Sequence, residues 1–247
     1  MKPGIVSIDD PSGLLTLLNF SKADQFNKWL HDTISPYYKG VVLEIGSGIG
    51  SISAFILRSG YKTVLSDLRT EYCQRLRERF KDHPALIAVE QIDLSAENFE
   101  QTYAAWLGKF DAVIALNVIE HIKNDQYAIR NCNRLLKKEG KLIMLVPAFS
   151  WLFNSLDKEL GHFRRYTKKT VTTLLLKENF SIESNSYFNF AGMSGWWFAG
   201  TLFKKKLIPE KQLSLYNALV PAFRFLDKLT LNSAGLSVVT VAAKKQE

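Results

Sequence analysis

Cysteine is scarce in this chain, with Cys73 and Cys132 alone among 247 residues. Their wide separation lacks metal-ligand spacing and argues against a disulfide scaffold, so both read as ordinary helix-borne thiols of a reducing compartment. No apolar run approaches the roughly 18 residues of a membrane span, and no basic-plus-apolar leader opens the sequence. The expectation is a protein that is cytoplasmic, either soluble or peripheral to the inner face of the membrane. Without staples the chain must hold together by burial, and its length allows one sizeable α/β domain with an appendage. A net positive charge is missing from the first half. Residues 1–136 carry 15 basic against 16 acidic side chains, whereas 137–247 carry 17 against 8, so the whole net charge of +8 arises from the C-terminal part. Such asymmetry fits an anionic partner or a merely solvated basic surface.

What is present is organised around Val41 to Gly50, V-V-L-E-I-G-S-G-I-G. A β-branched run with no polar alternation reads as a parallel strand covered on both faces. The glycines that end it let the backbone turn sharply and approach a ligand that a Cβ would exclude. A dinucleotide fold calls for G-x-G-x-x-G, but Ser51 stands where its third glycine is due, which weakens a pyrophosphate site and a NAD-dependent enzyme. The glycine loop could also serve only to turn the chain.

Further strands follow at regular intervals. Lys62–Ser66 ends at Asp67, which lies 21 residues past Gly46, where a strand-end carboxylate accepts from both ribose hydroxyls of a nucleotide. Ala85–Gln91 leads to Ile92-Asp93-Leu94 and an expected helix over 96–107, for which Asp93 is the alternative N-cap. Phe110–Leu116 runs into Asn117-Val118-Ile119-Glu120-His121, and Lys141–Val146 ends at Pro147. Helical spacing links these strands, and right-handed crossovers then give a doubly wound sheet.

E-x-G-x-G-x-G on a first strand, the two acidic strand ends, the N-V-I-E-H segment and the Gly-x-hydrophobic strand closed by proline together resemble the class I S-adenosylmethionine-dependent methyltransferases, type 11/12 group. The resemblance covers about 110 residues. It implies a Rossmann-like α/β sheet of seven strands, mostly parallel with the last antiparallel, and helices on both faces. It also implies S-adenosyl-L-methionine as cofactor, held by Glu44, Gly46, Ser47, Gly48 and Gly50 of the turn, by Asp67 and Leu68 at the ribose, by Asp93 and Leu94 at the adenine, and by Asn117 at the methionine end. His121 of the Glu-His pair, which opens the next helix in this pattern, faces the substrate or orients the loop.

The acceptor must be sought beyond the shared core. Leu160 to Tyr166, L-G-H-F-R-R-Y, resembles a loop of uncharacterised bacterial methyltransferases, many tied to cell-surface glycan or lipid-linked chemistry. His162 is the candidate catalytic residue, able to activate or position an acceptor hydroxyl. Arg164 and Arg165 can grip an anionic group bidentately, with Tyr166 and Trp196 as further substrate contacts; the arginines could instead pair with Asp157 and Glu159. Residues 189–236 form an aromatic and basic helical insertion before the last strand. Trp196, Trp197, Phe198 and Phe203 precede Lys204-Lys205-Lys206, a composition suited to an anionic membrane surface, a lid, a dimer face or core packing.

The expected organisation is one domain, with a helical cap over 1–40, a cofactor core over 41–148, a substrate loop and sixth strand over 149–188, the insertion, and a last strand over 237–247. The expected activity is O-methylation of a small-molecule or lipid-linked acceptor. The rivals are a non-catalytic or regulatory cofactor-binding module and a nucleic-acid methyltransferase, the latter disfavoured because no N-P-P-Y-like tetrad follows the fourth strand. The sequence names no metal ligand set and no oligomeric state.

Overall fold

A computed structural model of the protein describes residues 11–246, so the first ten residues of the expected cap and Glu247 lie outside the described residues. The remainder of the cap is two helices, α1 (Pro11–Ser21) and α2 (Asp24–Ile34). The amides of Lys22 and Ala23 turn back onto Asn19 and Phe20, which ends α1. Helix α2 buries Trp29, Leu30 and Ile34 on one face, as its spacing requires.

The core alternates strands and helices: β1 (Val42–Ile45), α3 (Ser53–Arg58), β2 (Thr63–Asp67), α4 (Thr70–Phe80) and β3 (Leu86–Gln91). Every residue of β1 and β2 is buried, as expected of central strands covered on both faces. The helix expected over 96–107 is broken into α5 (Phe99–Thr102) and a 3₁₀ turn at Ala104–Trp106. Asp93 does not cap it: Oδ1 accepts from the amide and hydroxyl of Ser95 at 2.7 and 2.6 Å, closing a local turn that competes with helix.

Strand β4 (Phe110–Leu116) has the expected bounds. The Glu-His pair that follows lies in a 3₁₀ turn, and helix α6 (Asp125–Leu135) starts later, where the Asn124 side chain accepts from the Tyr127 amide. Then come β5 (Leu136–Pro147), α7 (Ser155–Glu159), α8 (Lys168–Lys177) and β6 (Phe180–Phe188). The insertion holds α9 (Phe190–Trp197), a π-helical turn at Phe198–Leu202, α10 (Glu210–Ala218) and α11 (Val220–Leu229), and β7 (Ser237–Lys244) follows.

The seven strands lie in the order β3-β2-β1-β4-β5-β7-β6. The first five are parallel, and β7 runs antiparallel to β5 and β6, which is the sheet the resemblance implies. Alternation along the strands divides the apolar side chains between two faces. Leu43, Val113 and Met144 pack with α6, whereas Val42, Ile114 and Ile143 pack with Trp29, Ile34 and Ile56.

The cap and the insertion clasp each other although nearly two hundred residues separate them. The Phe26 amide donates to Asn217 Oδ1 at 3.0 Å, Lys22 pairs with Glu210 at 2.7 Å, and the Phe26 ring meets Phe188 and Tyr216. Asn189, at φ +67°, anchors the start of the insertion. Its amide and that of Phe190 donate to Asp227 at 2.6 and 2.7 Å, and its side chain accepts from the Gly192 amide and the Tyr216 hydroxyl.

Candidate functional site

Between β1 and α3 the chain passes through three left-handed glycines, Gly46, Gly48 and Gly50. A Cβ on Gly46 would stand 2.6 Å from Val118 Cγ2, so the approach of this turn to the segment after β4 requires glycine. Gly50 serves differently: its missing Cβ makes room for Phe80 and Leu76 behind the turn, and it does not line the cleft, which corrects its expected role as a cofactor contact. Ser47, Ile49 and Ser51 line the cleft instead.

Asp67 braces the turn. Its Oδ2 accepts from the Gly48 amide and its Oδ1 from the Arg69 amide, both at 2.9 Å. Burial raises its carboxyl above the ordinary range, against the pull of these amides. Glu44, behind the turn, is 4% exposed and takes the Ser53 hydroxyl on Oε2. Desolvation pushes it up to about 7.

The turn forms one end of a cavity of about 1080 Å³ outside the carboxyl ends of β1, β2, β4 and β5, where open α/β sheets take their ligands. Asp67 and Leu68 lie on one wall with Asp93 and Leu94 beside them, and Asn117, at φ +52°, closes the floor. Glycines free of Cβ, a carboxylate at the second strand end and a polar pocket at the third suit an adenosine with an amino-acid tail.

The far end of the cavity is built by the loop after β5. His162 lines it and its Nδ1 is 2.8 Å from Asp157 Oδ1, so a carboxylate fixes the orientation of the ring. The fully buried Asp157 also accepts from Arg165 Nε at 2.8 Å, the Asn154 amide at 3.0 Å and Trp196 Nε1 at 3.2 Å. Burial alone would raise this carboxyl, but the His162 hydrogen bond and the Arg165 charge hold it below its usual value. The His121 ring meets His162 edge-on, with centroids 4.7 Å apart. Beneath them, fully buried Glu120 has no hydrogen-bond partner on either carboxylate oxygen, and desolvation pushes it up to about 8.

The structure gives the arginines and Tyr166 other work than gripping an anion. Arg164 lies outside the cavity wall, paired with Asp125 at 2.7 Å and donating to the Lys123 carbonyl at 2.6 Å. The Tyr166 hydroxyl donates to Asp125 at 2.9 Å, and it too lies outside the wall. Both pin the loop after β5 to the segment after β4. Arg165 reaches the cavity, but its guanidinium is committed to Asp157 and to the Ala148 carbonyl at 2.9 Å, with the Trp196 ring stacked 5.0 Å away. The Arg165–Asp157 pair is the alternative the sequence offered for the arginines; the hold of Asp157 on His162, signalled by their five-residue spacing, and the place of Glu120 in the site were not singled out.

Aromatic side chains of the cap and the insertion roof the cavity, among them Phe20, Phe26, Trp196, Phe198 and Phe203. Around its mouth Phe198, Leu202 and Phe203 are about half exposed or more, next to Lys204 and Lys206. Among the described residues, no helix is long and apolar enough to cross a membrane.

Residues 43–142 match a family model described as a methyltransferase domain. A ubiquinone biosynthesis O-methyltransferase of Xanthomonas oryzae pv. oryzae is 33% identical over 103 residues, 42% of this chain and 41% of that protein. The chain thus spans about two fifths of the length of this curated relative. A SAM dependent methyltransferase from Archaeoglobus fulgidus superposes over 90% of this chain and 94% of its own, at a TM-score of 0.60 and 14% identity. Phosphoethanolamine N-methyltransferase 2 of Haemonchus contortus, in complex with phosphomonomethylethanolamine and S-adenosylhomocysteine, superposes over 92% of this chain and 57% of its own, at a TM-score of 0.61 and 18% identity.

Proposed function

We propose that the protein is a class I, S-adenosylmethionine-dependent methyltransferase that methylates an oxygen of a small or lipid-linked acceptor; the match of residues 43–142 to a methyltransferase-domain model and the shared fold support this reading. The observation that carries this reading is one continuous cavity with the glycine turn and Asp67 at one end and a carboxylate-oriented histidine at the other. Gly46, Ser47 and Gly48 would hold the amino-acid tail with Asn117, Asp67 the ribose hydroxyls, and Asp93 with Leu94 the adenine. When bound, S-adenosylmethionine would supply an electrophilic methyl group to the acceptor oxygen, its sulfur keeping the electron pair of the broken bond, and the acceptor proton would pass to His162 or to solvent water.

His162 activates or positions the acceptor oxygen, and Asp157 sets which ring nitrogen faces it. Positioning supplies much of the rate, since the leaving group is good and the displacement is in line. The aromatic roof excludes water and suits an apolar or aromatic acceptor. The half-exposed rings beside Lys204 and Lys206 fit an anionic bilayer from which a lipid-linked acceptor enters.

Calorimetric titration with S-adenosylmethionine and S-adenosylhomocysteine tests the cofactor, with Asp67→Ala in parallel. Micromolar binding that Asp67→Ala weakens at least about tenfold is expected, equal to about 1.4 kcal/mol; absent binding overturns the reading. For the bilayer, low-salt sedimentation with anionic and neutral liposomes should favour the anionic ones, and equal partitioning counts against a membrane source.

A further inference from the structure

We propose that Glu120, His121 and His162 form a binding site for one divalent transition-metal ion of the zinc type, facing the acceptor end of the cavity. One ligand atom of each residue lies within 4.8 Å of the other two, and His162 Nε2 is 3.9 Å from Glu120 Oε1. Four ligands about 2.0–2.2 Å from a zinc ion lie roughly 3.4 Å apart. The His162–Glu120 separation needs only a small contraction, and the exposed His121 ring can supply the rest.

The second observation is Glu120 itself. Both of its oxygens are buried without a hydrogen-bond partner, an arrangement that costs free energy unless something satisfies them. Asp157 and Arg165 compensate each other in a direct pair at 2.8 Å, so the Glu120 carboxylate is the charge that a cation would balance. Two histidines with one carboxylate form a known donor set for zinc with an open fourth position. The two rings line the cavity and Glu120 lies behind them, so the open position faces the acceptor.

The surroundings are also those of a metal site. His162 hands its Nδ1 to Asp157, the outer carboxylate that orients a ligating imidazole and leaves Nε2 for the ion. The two ligand-bearing loops are tied together, because the Phe163 amide donates to the Glu120 carbonyl at 2.9 Å and Arg164 pairs with Asp125. The loops that carry the ligands are therefore held together before an ion arrives. Resting on the methyl-transfer reading above, the role of the ion is to hold the acceptor oxygen and lower its pKa, so that its proton passes to solvent water and His162 acts on that oxygen by positioning it through the ion, not as a base.

Chelator-treated full-length protein is titrated with Zn(II) by calorimetry and with Co(II) by visible absorption, and each variant is also titrated with S-adenosylhomocysteine. One equivalent of either metal is expected to bind, Co(II) giving the intense ligand-field band of a low-coordinate nitrogen–oxygen site. Glu120→Gln and His121→Ala should each weaken metal binding more than about 100-fold, and Asp157→Asn about 10–100-fold, the range for an outer-shell partner. His121→Ala removes an exposed ring, so it remains informative even where a buried variant fails to fold. No stoichiometric binding by the wild type, or binding unchanged by both His121→Ala and Glu120→Gln, overturns the proposal. Metal bound without S-adenosylhomocysteine would leave the site standing and remove the methyl-transfer reading; the reverse would remove only the site.

Discussion

The Gly48 amide donates to Asp67 Oδ2 over 2.9 Å, joining the glycine turn after β1 to the tip of β2. One carboxylate thereby shapes the turn that lines the cavity, and under the proposed function its remaining lone pairs face the ribose. Asp67→Asn halves this capacity, because an amide nitrogen cannot accept from Gly48 or from Arg69. The expected result is a loss of about 1 kcal/mol of stability and a fall of about tenfold in S-adenosylhomocysteine affinity. Denaturant melts and calorimetry on the same sample measure both.

Gly46→Ala separates binding from folding. The residue sits at φ +69° and its new Cβ would meet Val118 at 2.6 Å, where a left-handed alanine costs about 1–2 kcal/mol before any clash. The protein should still fold with a reduced melting temperature, whereas cofactor affinity should fall more than about tenfold as the turn moves off its contact. Gly50→Ala, pressed against Phe80 at 2.6 Å, should lower the melting temperature without itself removing a cleft-lining group.

Glu44 gives a pH signature. Its carboxyl rises from an ordinary 4.5 to about 7 in the folded protein, so the unfolded chain ionises first. The stability associated with this group is complete below pH 4.5 and is lost as pH rises towards 7. Glu44→Gln keeps an acceptor for the Ser53 hydroxyl and removes the titration. The variant should gain on the wild type across that window by up to about 3 kcal/mol, read as diverging urea midpoints between acidic and neutral pH.

Asp157→Asn should be costly to the fold. The Arg165 side chain is 1% exposed and loses its charge partner, and breaking a buried pair costs about 3–5 kcal/mol. A large fall in melting temperature is expected, and an unchanged melt would show that the Ala148 carbonyl alone satisfies the guanidinium.

The cap is expected to stabilise the insertion. Phe26→Ala removes an aromatic that touches Phe188 and Tyr216, at about 3–5 kcal/mol for a core position and less here, where the ring is partly buried. Hydrogen exchange should quicken in α10 and α11 while β1 to β5 keep their protection.

The sequence by itself determined the central parallel strands and the glycine-turn end of the cavity. Strand burial, glycine spacing and acidic strand ends are local: Val42–Ile45, Gly46 and Asp67 can be read from short-range pattern because covered parallel strands and tight turns admit few residue types. It placed Phe110–Leu116 to the residue. It overran at 96–107, where Asp93 and Ser95 closed a turn that propensity alone does not reveal.

Tertiary structure decided the end built by the loop after β5. Arg164 and Arg165 are adjacent in sequence and carry the same charge, yet one ties two surface loops through Asp125 while the other is buried on Asp157. Glu120 and His162 lie some forty residues apart and meet because β4 and β5 are neighbours whose following loops converge. Charged side chains take the partners that folding brings within reach, and burial then fixes their roles; neither is encoded in local spacing.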